Sequence, residues 1–253
     1  MEPGAGFLAC GEVGSGRLAD EDDILAAVRR VLTRSHQLDG ERVVITAGPT
    51  REFADPARFL SNPSTGRMGY ALAAEAAARG ARVTLISGPT ELRAPANVEL
   101  IRVTSAREMH NAVLEHLPGA SLFIGAAAVA DFRPELVNAH KVKKDAAGLA
   151  LELARNPDII ADVVAARPPG CFIAGFAAES ERVEENAREK LLRKGLDLIV
   201  ANRIGGNGGA FGSPENEATL LWGADGREPL PRESKADVAA AVLERIAVLR
   251  GAR

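Results

Sequence analysis

Residues 42–69 read RVVITAGPTREFADPARFLSNPSTGRMG. The stretch opens with a short apolar run, Val43-Val44-Ile45, and breaks at Gly48-Pro49. A polar loop carrying Arg51, Asp55 and Arg58 follows, and Ser61-Asn62-Pro63-Ser64-Thr65-Gly66 then leads into the alanine-rich segment from Tyr70 to Arg79. In physical terms this is a buried strand, a long loop, and a helix N-terminus dressed with small hydrogen-bonding residues. Unpaired backbone N–H groups and the helix dipole attract phosphate or carboxylate at such a place. The stretch therefore predicts an anion site at the carboxyl end of a parallel sheet.

Working outward, strand-like and helical runs alternate. Strands are expected at Val43 to Thr46, Arg82 to Ser87, Val98 to Val103, Ser121 to Val129, Cys171 to Ala178, Leu196 to Ala201 and Ala218 to Trp222. Helices are expected from Gly66 to Arg79, from Ser105 as cap to about Leu117, from Asn156 as cap to Ala166, from Glu181 to Lys194, and from Ser234 to Leu249. Ser121 to Val129 is an almost unbroken apolar run, as for a strand covered on both faces. Such alternation predicts right-handed βαβ crossovers and an α/β, Rossmann-like three-layer fold with a mostly parallel sheet. Between about Phe132 and Leu153 the pattern breaks into a lysine-bearing insertion that reads as a flap. The front segment, residues 1–39, is glycine-rich, then helical from Asp20 to Arg34, and too short to be a domain. A Gly-rich loop spans Gly205 to Gly212.

Composition removes several function classes. A net charge of −3 gives no basic surface for nucleic acid, and aromatics at 4% leave no base-stacking platform. Two cysteines, Cys10 and Cys171, make neither a disulfide framework nor a zinc site, and point to a reducing compartment. No run reaches the roughly 18 apolar residues of a membrane span, and the N-terminus lacks the pattern of a signal peptide. The expectation is a cytoplasmic protein that meets neither nucleic acid nor membrane.

The default chemistry of this architecture, nicotinamide dinucleotide binding, has weak support. No G-x-G-x-x-G follows the first strand, and the second ends in Ser87-Gly88-Pro89 without an acid to grip a ribose. A P-loop and an H-E-x-x-H are absent, and His36, His110, His116 and His140 are scattered, so no protein metal site is expected. What remains is a set of cations: Lys141, Lys143 and Lys144 in the flap, and Lys190 and Lys194 one turn apart on a helix. Each cluster alone fits a solvated surface. Asp131 and Asp158 alone fit capping roles, and Asn62 alone fits a turn.

Together these residues resemble bacterial-type phosphopantothenate–cysteine ligases. The similarity rests on ITAGPTRE at 45–52, DPARFLSNPSTGRMG at 55–69, VTLISGP at 83–89, AAVAD at 127–131, KVKK at 141–144, NPDII at 156–160, GFAAES at 175–180 and AREKLLRKGLDLIVAN at 187–202. It covers residues 40–253. Pro63 and Thr65 depart from the commoner residues of the pattern, as does Ala126, where some relatives carry cysteine. Residues 6–18, GFLACGEVGSGRL, resemble the tail of the flavin-dependent phosphopantothenoylcysteine decarboxylase that many bacteria fuse ahead of the ligase. Cys10 falls on that domain's proton-donating cysteine, but the flavin-binding body is not in this chain. The resemblance thus implies no FMN and no decarboxylation here.

For the ligase part, the resemblance implies a Rossmann-like dimer joining 4′-phosphopantothenate to L-cysteine at the expense of CTP, with Mg²⁺ arriving on the nucleotide. Gly125, Ala126 and Ala127 would let the nucleotide approach the backbone, and Asp131 would hydrogen-bond its sugar or base. Pro157, Asp158, Ile159 and Ile160 would offer a helix N-terminus, Phe176 a wall for the base, and Lys141, Lys190 and Lys194 countercharge. Asn62 and Arg58 would hold the acyl group. Two other readings stay open: an NAD(P)-dependent oxidoreductase, and a non-catalytic partner of a separate flavin decarboxylase.

Overall fold

The computed structural model describes residues 4–7, 13–18, 24, 37–143, 150–204 and 215–251. Cys10, Lys144, the Gly205–Gly212 loop and, but for Ile24, the expected helix over 20–34 lie outside the described residues. At the front, β1 (Gly4–Phe7) pairs antiparallel with β2 (Val13–Arg17).

The core is an eight-stranded sheet. It is built from β3 (Arg42–Ala47), β6 (Arg82–Ser87), β7 (Val98–Arg102), β8 (Leu122–Gly125), β11 (Phe172–Glu179), β12 (Leu198–Arg203), β13 (Glu215–Trp222) and β14 (Gly226–Ser234). Their order is β14-β13-β12-β11-β8-β3-β6-β7. Every pairing from β12 to β7 is parallel, while β13 and β14 extend the sheet antiparallel. Along the chain the strands grow outward from β3 in one direction through β6 and β7. They then return to the other side of β3 with β8, β11 and β12. The strand order therefore reverses between β3 and β8, and ligands of open α/β sheets bind at the carboxyl ends of such a pair.

Helices cover both faces. Val43, Ile45 and Ala47 of β3 point toward α1 (Arg67–Ala78) and α5 (Lys235–Gly251), where Leu72, Ala73, Val242 and Ile246 are buried. Val44, between them, points to the other face, with Met109 and Val113 of α2 (Ala106–His116), Val163 of α3 (Ile159–Ala165) and Ala187 and Leu191 of α4 (Val183–Lys194). This period-two division of one strand between two apolar layers is what makes the sheet central. Packing of α1 on β3 is close at Gly69: a Cβ there would lie 2.5 Å from the Ala47 Cβ.

Several local expectations change. The polar loop after β3 is a hairpin, β4 (Arg51–Asp55) with β5 (Arg58–Ser61), closed by Asp55-Pro56-Ala57. A second small hairpin, β9 (Phe132–Pro134) with β10 (Leu153–Arg155), borders the flap. The apolar run at 121–129 is strand only to Gly125. Beyond it the ladder breaks at Ala126 and Ala127, where Ala127 N–H turns to Thr46 Oγ1 at 3.3 Å; it resumes in register only as a single parallel bridge between Pro49 and Ala128, after which Ala130 N–H donates to Thr50 Oγ1 at 3.0 Å. Asp158, not Asn156, caps α3, accepting from Ala161 N–H at 3.1 Å. Asn156 is instead drawn back to Ala130 O, 2.9 Å away.

Candidate functional site

Two adjoining cavities open above the carboxyl ends of β8, β11 and β12, beside the β3–β8 reversal. The larger holds about 400 Å³. Its floor is Gly125 and Ala127, one wall is Asp131 with Phe132, and another is the α3 entry, Pro157 to Ile160. Phe176, from β11, and Lys190 and Lys194, from α4, close the remaining side. Nearly every residue expected to hold a nucleotide thus meets around one space. Ala126 lines the smaller cavity of about 100 Å³ instead, which shares Ala127 and Phe176 with the larger. Lys141 is exposed on the flap and is not among the residues lining either cavity.

The α4 lysines face the larger cavity because they are four residues apart, on one side of the helix. Lys190 Nζ donates to Phe176 O at 3.0 Å. Burial first, and then the neighbouring Lys194 charge, push the Lys190 amine below its ordinary pKa. Lys194 Nζ lies 2.6 Å from Asp158 Oδ2 and 2.9 Å from Oδ1. Burial alone would raise the Asp158 carboxyl, but the Lys194 ammonium and the Ala161 N–H outweigh it and hold the pKa below the usual carboxylate value. Asp158 therefore serves α3 as cap and Lys194 as counterion.

Asn62, just past β5, lines neither cavity but holds backbone of both. Its Nδ2 donates to Val129 O at 3.0 Å and Ala128 O at 3.4 Å, carbonyls of residues that line the larger and the smaller cavity respectively. Arg58 lies farther out on the same hairpin, where its guanidinium pairs with Asp55 and with the Val142 carbonyl.

The smaller cavity brings in residues that sequence reasoning missed: Lys235, Arg67, Asn202 and Asn216. Gly66, at φ 76°, occupies the Ncap of α1, and no side chain caps that helix. Ser64 to Gly69, which lead into that helix, line the cavity. Lys235 is buried, and burial together with the Arg67 charge lowers its pKa. One signal was available. A lysine opening a helix opposes the helix dipole, so such a residue calls for an anion nearby. In the larger cavity Arg155 and Asn156 were likewise missed; Arg155 ends β10 and Asn156 follows it on the way to α3.

Among the described residues no group of three or more His, Cys, Asp or Glu could hold a metal ion, and no helix is long and apolar enough to cross a membrane.

The model of the DNA/pantothenate metabolism flavoprotein C-terminal domain family matches residues 38–249. The coenzyme A biosynthesis bifunctional protein CoaBC of Bacillus subtilis is 46% identical over 252 residues, covering 98% of this chain and 62% of that protein. Its counterpart in Haemophilus influenzae is 44% identical over 244 residues, covering 96% of this chain and 60% of the relative. The chain thus spans about three fifths of the length of these curated relatives. Among solved structures, the crystal structure of the C-terminal domain of a CoaBC protein superposes with a TM-score of 0.74 at 37% identity, over 87% of this chain and 100% of that one.

Proposed function

The chain belongs to the DNA/pantothenate metabolism flavoprotein C-terminal domain family, and from that premise we propose that it is a ligase of coenzyme A biosynthesis, joining 4′-phosphopantothenate to L-cysteine with CTP. The observation that carries the reading is the larger cavity. The residues expected to hold a nucleotide line it together, all but Ala126 and Lys141. The names of the relatives, bifunctional proteins of coenzyme A biosynthesis, supply the pathway.

A carboxylate is a poor acyl donor to an amine, since its charge repels the nucleophile and oxide is a bad leaving group. In the proposed first half-reaction, a carboxylate oxygen of 4′-phosphopantothenate attacks the α-phosphorus of CTP. The α–β anhydride bond breaks, giving an acyl-cytidylate and pyrophosphate. Cysteine's amine then attacks the acyl carbon; the bond to CMP breaks, the amide forms, and one proton leaves the nitrogen. Lys190 and Lys194 offset the triphosphate charge, as fixed cations aimed at where it lies. Lys194 exchanges Asp158 for phosphate, while Asp158 keeps its role as α3 cap. Asp131 and Phe176 engage the nucleoside. Lys235, Arg67 and the open α1 N-terminus add positive potential for phosphate groups that reach past Ala127 and Phe176. Asn62 steadies the carbonyls of Ala128 and Val129 and orients the acyl group above them. Mg²⁺ travels with CTP, held by phosphate and water oxygens.

The working form is a homodimer. Phe59 and Leu60 on β5, with Leu136 and Val137 beyond β9, are large apolar side chains left exposed on two neighbouring hairpins, and a second copy would cover them. Residues 40–253 form the ligase. Residues 1–39 are assigned to the tail and linker of a flavin decarboxylase domain that accompanies the ligase in the bifunctional protein, in the cytoplasm. Cys10 belongs to that tail.

The test supplies 4′-phosphopantothenate, L-cysteine and Mg²⁺ with CTP or ATP, following pyrophosphate and identifying products by mass. Phosphopantothenoylcysteine and CMP, formed with CTP alone, are expected. Equal turnover with ATP overturns the nucleotide assignment, and no turnover with either overturns the ligase reading.

A further inference from the structure

We propose that Asp55 is a positioning residue for Lys141, acting through the Val142 peptide. The inference rests on reading Lys141 as a partner of the triphosphate. The Asp55 side chain is 1% exposed and its two oxygens do different work. Oδ1 accepts the backbone N–H groups of Ala57 and Arg58, at 2.7 and 2.8 Å, and so closes the β4–β5 hairpin. Oδ2 accepts from the Arg58 guanidinium and, at 3.1 Å, from the backbone N–H of Val142, 87 residues along the chain. The same guanidinium donates through both terminal nitrogens to the Val142 carbonyl, each at 3.1 Å. Both polar groups of one flap residue are therefore held by one ion pair, whose carboxylate is buried while its guanidinium reaches the surface.

A second tether lies just upstream. Asn138 N–H donates to the carbonyl of Ala54, at 2.9 Å. Lys141 lies between these two attachments, immediately before Val142. Its backbone is thus fixed by the hairpin, while its side chain remains exposed and available. A long lysine on a freely moving segment would lose backbone as well as side-chain freedom on meeting an anion. With the Val142 peptide already held, only the side chain must be ordered. The geometry also explains the residue type. Four donors converge on Asp55, which only an ionised carboxylate can accept, and a longer glutamate would displace both the turn and the flap.

Asp55→Asn separates the two tasks. The amide keeps an oxygen for the hairpin and turns an NH₂ toward Val142 N–H and Arg58. We expect pyrophosphate release in single turnover to fall by about tenfold, the scale of one charge-assisted contact. In a Lys141→Ala background the same change should cost nothing more, because its route is already cut. Val142→Pro removes the donor without touching the hairpin and should match Asp55→Asn, which covers the case of a poorly folding Asp55 variant. Hydrogen exchange at the Val142 amide should accelerate in Asp55→Asn. Equal loss with and without Lys141, or unchanged exchange at Val142, overturns the positioning role. Wild-type release by Lys141→Ala would instead sink the reading of Lys141 itself, and positioning with it.

Discussion

Lys194 and Asp158 meet at the rim of the larger cavity, with Nζ 2.6 Å from one carboxylate oxygen and 2.9 Å from the other. The lysine is therefore held in place before any nucleotide arrives, and its partner is the cap of the helix that forms the opposite wall. Binding a triphosphate is an exchange of counterions, not the capture of a solvated amine. Lys194→Ala should weaken CTP binding by about tenfold, as for a lost charge-assisted contact. Asp158→Asn retains an N-cap of equal quality and removes the competing charge. Calorimetric titration should find its affinity for CTP equal to wild type or tighter; a loss as large as that of Lys194→Ala would show that the carboxylate itself serves the nucleotide.

Lys190 gives the site a pH dependence. Burial and the Lys194 charge lower its pKa from 10.5. In the free protein its charged form is thus disfavoured relative to the unfolded chain, so the charged lysine subtracts stability. That cost is full below the lowered pKa, shrinks as pH rises past it, and is gone once pH exceeds the ordinary lysine value of 10.5. A bound polyphosphate favours the charged form, so affinity for CTP should hold at neutral pH and fall as pH climbs through the lowered pKa. Lys190→Arg remains charged throughout and should flatten the profile. A wild-type Kd that stays constant as pH rises from neutrality up to the ordinary lysine value of 10.5 would remove Lys190 from the phosphate site.

Asn62 contacts the loop beyond β8 and not the α4 lysines. Its loss should therefore leave triphosphate binding intact and disturb the acyl group. Asn62→Ala is expected to slow amide formation more than pyrophosphate release when the half-reactions are timed in single turnover. Equal slowing of both would make it a general prop for the 128–129 loop.

The exposed apolar side chains of the two hairpins lead to a prediction about assembly. Leu136 is 78% exposed, so an aspartate there costs the monomer little, whereas across a dimer seam it would strand a charge. Leu136→Asp should shift the sedimentation profile from dimer to monomer with the thermal midpoint of the fold little changed. A dimer that survives the substitution places the interface elsewhere.

The sheet, except its unpredicted edge strand β14, and its helices were legible because their signals are local. Val43 to Ala47 and Arg82 to Ser87 are apolar runs ended by Gly-Pro, and α4 ends in basic residues followed by Gly195, at φ 67°. The larger cavity was legible through its motif residues for the same reason. The hairpins were not. β4 and β5 carry charges on both faces and pair through Asp55, whose four donors include one from Val142, which no local pattern contains. The halt of β8 at Gly125 is equally nonlocal, since side chains of the β3 strand and the residues after it, Thr46 and Thr50, take the N–H groups of Ala127 and Ala130. Lys235 and Asn216 reach the smaller cavity only because β13 pairs with β12 and α5 packs against α1, tertiary events that spacing does not encode.

Gly69 tests how far the site depends on the seating of α1. A methyl group at this position would sit 2.5 Å from the Ala47 Cβ and 3.0 Å from Thr46 O, both parts of a central strand that cannot yield. The helix must therefore lift, and Gly69→Ala should destabilise the fold by about 1–3 kcal/mol, the usual cost of overpacking. Relief cannot come from rotamer changes, since neither Ala47 nor the backbone has any to offer. Lifting also carries Ser64 to Met68 away from Ala126 and Ala128, which face them across the smaller cavity. The variant should thus lose affinity for phosphorylated substrate beyond its loss of thermal stability. A control such as Ala71→Gly, on the half-buried side of the same helix, should lower stability by about 1 kcal/mol through helix propensity while leaving the substrate KM unchanged. If Gly69→Ala shows a lowered midpoint with a wild-type KM, the α1 N-terminus is a structural seam and not part of the site.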